Sequence, residues 1–419
     1  MAANDFQKTV TSSGVEVITE TIDSVRSAAI GIWVNVGSRD EAPHEAGMSH
    51  FMEHMMFKGT PTRTAADISE HFERLGGELN AFTSKEYTCF YARVLDEHMD
   101  SAIEVLSDMV VNSLLADDAI LSEREVVLEE ISRHEDTPDD AVHDLFTSAL
   151  MADHPLGLPV LGSPQTVGSF DHAASATFKD RMYVSGNTVV AVAGHVDHGR
   201  VVEAVDMYLA LPQGARLGRD ARRPEPVSGL TVVTKNTEQA HICWGVPAMD
   251  ARSEERFTLA ILDSILGGGM ASRLFQEIRE KRGMAYAVYS YHSLYYDTGQ
   301  YTVYAGTRPS NAEEVVKLIR EQADALAADG VTAEELTRAK ESFKGQLVLS
   351  LESTRNRMTR LGKSEVTQSE LLSTDELVAR VDAVTADDVH VLAARLFSQP
   401  QVLTMIAPFS RDDMSDLLD

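Results

Sequence analysis

The stretch Gly47-Met48-Ser49-His50-Phe51-Met52-Glu53-His54-Met55-Met56-Phe57-Lys58-Gly59 constrains this chain more than any other. It is apolar almost all round, which predicts a helix buried inside the protein, with Gly59 as its end. Three polar residues interrupt the apolar surface: His50, Glu53 and His54. Positions i and i+4 of a helix share a face, so both imidazoles point the same way. That arrangement suits two ligands of one zinc ion. It also sets Glu53 beside them, within reach of the proton of a metal-bound water. The bland alternative is two hydrogen-bonded core histidines and a glutamate at a helix edge. Three separate polar compensations would then be needed in one buried turn, and an unpaired buried carboxylate is expensive. A divalent cation removes the cost for all three together.

The 419 residues are enough for two or three domains. An apolar content of 43% with 24% charged residues is that of a globular protein. Lys plus Arg number 37 and Asp plus Glu 65, a net charge of −28. This argues against nucleic acid and anionic membrane surfaces as partners and leaves basic peptide segments as acceptable ligands. Cys89 and Cys243 belong to no Cys-x-x-Cys pair and are expected as small buried residues. The first residues carry no basic-then-apolar leader, and no apolar run approaches the ~20 residues of a membrane span. The expectation is a soluble protein of a reducing compartment.

Along the chain, strand signals at 15–19 and 28–36 precede the histidine helix. A helical period over 65–75 stops at Gly76-Gly77, and two strands, 79–83 and 87–94, are joined by Ser84-Lys85-Glu86. Helices are expected near 96–113 and 122–134, a buried strand at 188–194 and a helix near 199–210. Residues 211–229 hold Pro, Gly and an Arg cluster, and read as a linker whose arginines are solvated. The second half repeats the order: strands near 230–234 and 240–246, a helix near 254–266, Gly267-Gly268-Gly269, and a helix at 271–282. Strands at 285–292 and 300–306 follow, then helices at 311–328 and 333–350, helical pattern over 355–395 and a strand at 401–406. This is an internal duplication of roughly 200 residues. It divides the chain into domains 1–210 and 230–419 around the linker 211–229. In the second copy the helix over Thr258–Leu266 has neither His nor Glu, so no such metal site is expected there.

Catalytic zinc takes three protein ligands. The candidate helix for the third is Leu121-Ser122-Glu123-Arg124-Glu125-Val126-Val127-Leu128-Glu129-Glu130-Ile131. At ~100° per residue, Val126, Val127, Leu128 and Ile131 define a buried arc that contains Glu123 and Glu130, while Glu125 and Glu129 fall outside it. A carboxylate on a buried face needs a partner, which makes Glu130 the leading ligand and Glu123 the leading outer support.

His-x-x-Glu-His reverses the commoner zinc-protease order and is the inverzincin signature. With HFMEHMMFKGT (50–60), GGELNAFTSKEYTCFYARV (76–94), SEREVVLEEI (122–131), GNTVVAVAGHVD (186–197) and SRLFQEIREKRGMAYAVYS (272–290), nearly the whole chain resembles the insulinase/pitrilysin family of zinc peptidases. It is closest to the short two-domain branch that includes the mitochondrial processing peptidase β subunit and its bacterial relatives. The resemblance implies two homologous α+β domains, each a mostly antiparallel sheet packed with helices, that enclose a chamber with a second subunit. It implies one zinc per chain on His50, His54 and Glu130, with Glu53 as general base and Glu123 supporting the site. It implies substrate added as a strand along the edge Asn80-Ala81-Phe82-Thr83, the logic of β-augmentation. From the second domain it implies that Arg279 and Tyr286 contact the scissile region.

The expected function is therefore a zinc-dependent endopeptidase that hydrolyses unfolded peptides or presequence-like segments, with a zinc-activated water and Glu53 as base. The expected state is a homodimer in a bacterial cytoplasm. The competing readings are a noncatalytic assembly protein of the same fold, like the respiratory-complex core proteins, and the catalytic subunit of a heterodimeric processing peptidase. The complete set His50, Glu53, His54 and Glu130 speaks against the noncatalytic reading.

Overall fold

The computed structural model describes residues 6–219, 221, 223–225 and 227–417. In chain order the first half contains strands β1 (Phe6–Val10), β2 (Glu16–Thr21) and β3 (Ser27–Val34), helices α1 (Met48–Met56) and α2 (Ala65–Arg74), and strands β4 (Glu78–Thr83) and β5 (Thr88–Leu95). Helices α3 (Met99–Asn112), α4 (Asp117–Glu135), α5 (Pro138–Met151), α6 (Pro164–Val167) and α7 (His172–Met182) follow, then β6 (Thr188–Gly194) and α8 (His198–Tyr208). The second half contains β7 (Gly229–Thr234), β8 (Ala240–Ala248), α9 (Arg256–Leu266), a π-helical turn Phe275–Glu280, β9 (Ala285–Leu294) and β10 (Gly299–Thr307). Helices α10 (Ala312–Asp329), α11 (Ala333–Ser350), α12 (Thr354–Val366), α13 (Thr374–Ala383) and α14 (Ala386–Phe397) precede β11 (Val402–Ala407).

The chain divides into two compact α+β units that are discontinuous in sequence. The first comprises the described residues within Met1–Ser132, Leu158–Asp220 and Ser350–Ser373; the second those within Arg133–Gly157, Ala221–Leu349 and Thr374–Asp419. The sequence leads one to expect contiguous domains, 1–210 and 230–419. Each half instead lends one helix to the other's sheet, because α5 and α12 carry apolar faces that pack on β-strands of the opposite half.

In the first unit six strands run in the order β1-β2-β6-β3-β5-β4. All pairings are antiparallel except β2 with β6. Strand β3 shows why its apolar run is unbroken. Ala28, Ile30, Ile32 and Val34 face a core that includes α1 and α3. Ala29 and Trp33 face the other side, where α12 lays Met358, Leu361 and Val366 on Ile18, Val189 and Ala191. A strand buried on both faces has no polar alternation to show. Glycine lets α12 approach this closely: a Cβ on Gly362 would lie 2.1 Å from Trp33 Nε1.

In the second unit five strands run β7-β11-β8-β10-β9, antiparallel except β7 with β11. Helix α5 packs Val142, Phe146 and Leu150 on Cys243, Tyr304, Val402 and Ile406. On α14, Phe397 meets Trp244 and Tyr301 with ring centroids 5.9 Å apart in both pairs. The two strand orders superimpose as β2-β6-β3-β5-β4 on β7-β11-β8-β10-β9, parallel pair included, which is the duplication seen in the sequence.

Three local expectations are corrected. Helix α1 ends at Met56 with Phe57 as its cap, and Gly59 instead turns the chain with φ +109°. The helix expected at 271–282 is shorter, α-helical at Arg273 and Leu274 and π-wound over Phe275–Glu280. The linker arginines are not all solvated, because the Arg219 side chain is buried and bidentate on Asp40, at 2.7 and 2.6 Å. Both cysteines are buried and unpaired, as expected of small apolar residues. Among the described residues no helix is long and apolar enough to cross a membrane.

Candidate metal centre

Helix α1 starts at Gly47, whose φ of +93° is left-handed. The buried Glu41 accepts hydrogen bonds from Gly47 N at 2.7 Å and Ser49 N at 2.6 Å. This satisfies two amides that a helix N-terminus would leave open. Burial pushes the Glu41 carboxyl up to about 8. Met48, Phe51, Met52, Met55 and Met56 anchor the helix in the core of the first unit, and the remaining stripe carries His50, Glu53 and His54.

Helix α4 presents Glu123 and Glu130 to that stripe. His50 Nε2 lies 3.7 Å and His54 Nε2 3.6 Å from Glu130 Oε2. One ligand atom from each of the three residues lies within 4.8 Å of the others. No two of these donors are hydrogen-bonded to each other. Their spacing suits a small cation instead, since bonds of ~2.0–2.1 Å in a tetrahedron set ligands ~3.3–3.4 Å apart. Burial, then the neighbouring His54, pulls the His50 imidazole down to about 4, so it is neutral and free to coordinate near neutral pH. The other nitrogen of His54, Nδ1, is 3.1 Å from Glu123 Oε2. A carboxylate at Nδ1 fixes the ring with Nε2 toward Glu130. His50 Nδ1 is buried without such a partner, so packing alone orients that ring. Two imidazoles and a carboxylate, one ring oriented by a further carboxylate, are a donor set that fits zinc.

Glu53 does not join the cluster. Its Oε2 accepts a 2.6 Å hydrogen bond from Thr83 Oγ1. Burial raises its carboxyl above the ordinary range, opposed by the Thr83 bond and by His54 and reinforced by Glu130. Thr83 closes β4, the edge strand of the sheet, and α1 packs against that strand. Of the other edge residues, Asn80 is exposed and Ala81 and Phe82 are half-buried. Asn80 Oδ1 accepts from Ala81 N at 2.8 Å, and the Phe82 ring meets Trp33 edge-on at 5.5 Å.

Arg279 and Tyr286 lie in the second unit and are brought together there. The Arg279 guanidinium sits 5.0 Å from the Tyr286 ring and 4.8 Å from Phe275. Tyr286 is 78% exposed, too open for a core aromatic.

The α4 arc is corrected at one position: Val126 is exposed, whereas Val127 and Ile131 are buried and Leu128 half-buried. Glu125 and Glu129 are exposed, as the arc predicts. The sequence reading missed two supports. Glu41 sits in a stretch with no periodicity and leaves no signal. Lys58, 2.5 Å from Glu123 Oε1, had one: it stands four residues after His54, on the continuation of the same face.

Residues 16–164 match the family model described as insulinase (peptidase family M16), and residues 169–343 match the peptidase M16 inactive domain. A Streptomyces coelicolor protein described as an uncharacterized zinc protease is 43% identical over 99% of this chain and 92% of its own length. A Bacillus subtilis protein of the same description, YmxG, is 41% identical over 94% of this chain and 97% of its own. The fold matches a crystal structure titled peptidase M16 inactive domain from Pseudomonas fluorescens, with a TM-score of 0.91 at 20% identity over 97% and 99% of the two chains. With two family models in tandem and relatives this similar end to end, the chain belongs to the insulinase family of peptidases, peptidase family M16.

Proposed function

We propose that the chain is a zinc-dependent endopeptidase that cleaves unfolded peptide segments laid as an extra strand along β4. The observation that carries this reading is the convergence of His50 Nε2, His54 Nε2 and Glu130 Oε2, with Glu53 on the same helix and tied to the edge strand. His50, His54 and Glu130 would hold the cation. When bound, it supplies Lewis acidity, which lowers the pKa of water and polarises a carbonyl.

The chain's own residues do the rest. Main-chain groups of Asn80, Ala81, Phe82 and Thr83 bind the peptide backbone with little demand on its sequence. An arriving strand displaces the Asn80 side chain from Ala81 N. Glu53 Oε2 is held by Thr83, so Oε1 takes the proton of the attacking water and returns it to the leaving nitrogen. The raised carboxyl pKa of Glu53 brings it nearer to the pH at which it must both accept and donate. The same reading assigns substrate contact to Tyr286, whose phenol steadies the developing oxyanion while Arg279 stacks on its ring.

Family members of this length surround their chamber with four such domains, so the reading includes a homodimer, and a monomer in light scattering would count against that part. The reading includes a bacterial cytoplasm as the place of the activity, which the bacterial origin of the relatives supports. The test is hydrolysis of a mixed library of unstructured peptides by the purified chain, with and without a zinc chelator, read by mass spectrometry. Chelator-sensitive cleavage is expected. A zinc-loaded chain that cuts nothing would overturn the reading.

A further inference from the structure

Glu123 is 4% exposed, and each of its carboxylate oxygens has one partner. Oε2 faces His54 Nδ1 at 3.1 Å, and Oε1 faces the ammonium of Lys58 at 2.5 Å. A buried carboxylate with an imidazole nitrogen as its one partner would be under-compensated and drawn toward water. Lys58 supplies the missing charge.

Its own backbone is fixed on both sides. Lys58 N donates to Met55 O, which also accepts from Ser113 Oγ at 2.8 Å. The next residue, Gly59, turns the chain at φ +109° and accepts from Leu114 N. Beyond it Thr60 Oγ1 donates to the buried Asp108 at 2.8 Å. The ammonium therefore reaches Glu123 from an anchored point rather than from a loose surface stem.

We propose that Lys58 is a positioning residue for the metal centre: it clamps Glu123 so that this carboxylate holds the His54 ring with Nε2 toward Glu130 and His50. The chain of contacts is Lys58 Nζ to Glu123 Oε1, then Glu123 Oε2 to His54 Nδ1. Among the described residues no contact joins the Lys58 ammonium to the ligands or to the proposed substrate edge, so the proposed positioning runs through Glu123. This proposal rests on the reading that a divalent cation binds at His50, His54 and Glu130.

The test is a double-mutant cycle on zinc affinity, measured by competition with a chromophoric chelator. The full-length chain is compared with Lys58→Met, Glu123→Ala and the double variant. Loss of an outer support costs a metal site 10–100-fold in affinity, and Glu123→Ala is expected in that range. Lys58→Met, one contact further out, is expected to weaken binding by roughly 3–10-fold when Glu123 is present. In the Glu123→Ala background it is expected to add nothing measurable. Lys58→Arg, which restores the charge, is expected to bind zinc like the parent. An unchanged affinity in Lys58→Met, or the same loss with and without Glu123, would overturn the proposal. If Lys58→Met does not fold, Lys58→Gln enters the same cycle with the same two outcomes. Failure of the parent chain itself to bind zinc would instead remove the metal reading beneath it.

Discussion

Thr83 Oγ1 donates a 2.6 Å hydrogen bond to Glu53 Oε2 and so joins the end of the edge strand to the histidine helix. One contact links the surface proposed to hold substrate to the group proposed to move its proton. Thr83→Val keeps the shape and removes the donor. A hydrogen bond to a carboxylate is worth about 1.5–3 kcal/mol, and part of it is recovered from water, so kcat is expected to fall about tenfold. Zinc content, measured by elemental analysis, is expected to stay at one per chain. Unchanged kcat would separate Thr83 from the chemistry.

Metal binding couples to stability. A ligand at 100 times its Kd stabilises the folded state by about 2.7 kcal/mol. For a unit of this size 1 kcal/mol shifts Tm by about 2–4 °C. Zinc added to the metal-free chain is expected to raise Tm by about 5–10 °C, read by scanning calorimetry. His50→Ala is expected to abolish that shift, because two donors no longer close the site.

In the second unit, Arg273 holds Glu335 through two bonds of 2.7 and 3.0 Å, and Thr332 N donates to the same carboxylate at 2.9 Å. The Arg273 hydrogen bonds bring the Glu335 carboxyl down from 4.5 to about 2. A carboxyl lowered on folding stabilises above its unfolded value and loses that contribution as pH falls through its folded value. Glu335→Gln is therefore expected to cost about 1 kcal/mol near neutral pH, a partly solvated pair being worth no more. The difference from the parent should narrow as pH drops from about 4.5 toward 2. Urea titrations at several pH values read this directly, and a constant difference would contradict it.

Gly362→Ala puts a methyl 2.1 Å from Trp33 Nε1. Overpacking of this kind costs about 1–3 kcal/mol, against about 1 kcal/mol gained from helix propensity. The variant is expected to unfold at lower temperature than the parent. A rise in Tm would show that α12 can slide away from β3 without loss.

Much of the site was legible because its chemistry follows helical period. His50, Glu53 and His54 read as one face, and Glu123 and Glu130 as two turns of one buried arc; the donor distances bring those faces together. Val126 was misplaced because the arc's edge is set by neighbouring elements that the local pattern does not contain. The pairing of Arg219 with Asp40 and the capping of α1 by Glu41 join residues with no shared periodicity. The exchange of α5 and α12 was hidden for a similar reason. An amphipathic period announces a helix with a face to bury but does not say which sheet it will cover. Arg279 and Tyr286, by contrast, stand out only through the family resemblance, and their stacking on each other is visible only in the structure, since spacing alone gives an arginine and a tyrosine no reason to meet.

The most direct test of the central claim is turnover of one cleaved peptide by the parent chain and by Glu53→Gln, both loaded to one zinc per chain. Positioned general acid–base groups contribute typically 10²–10⁴-fold. The account predicts a loss of that order in Glu53→Gln with zinc affinity and peptide binding retained. Undiminished turnover in the zinc-loaded variant would contradict it.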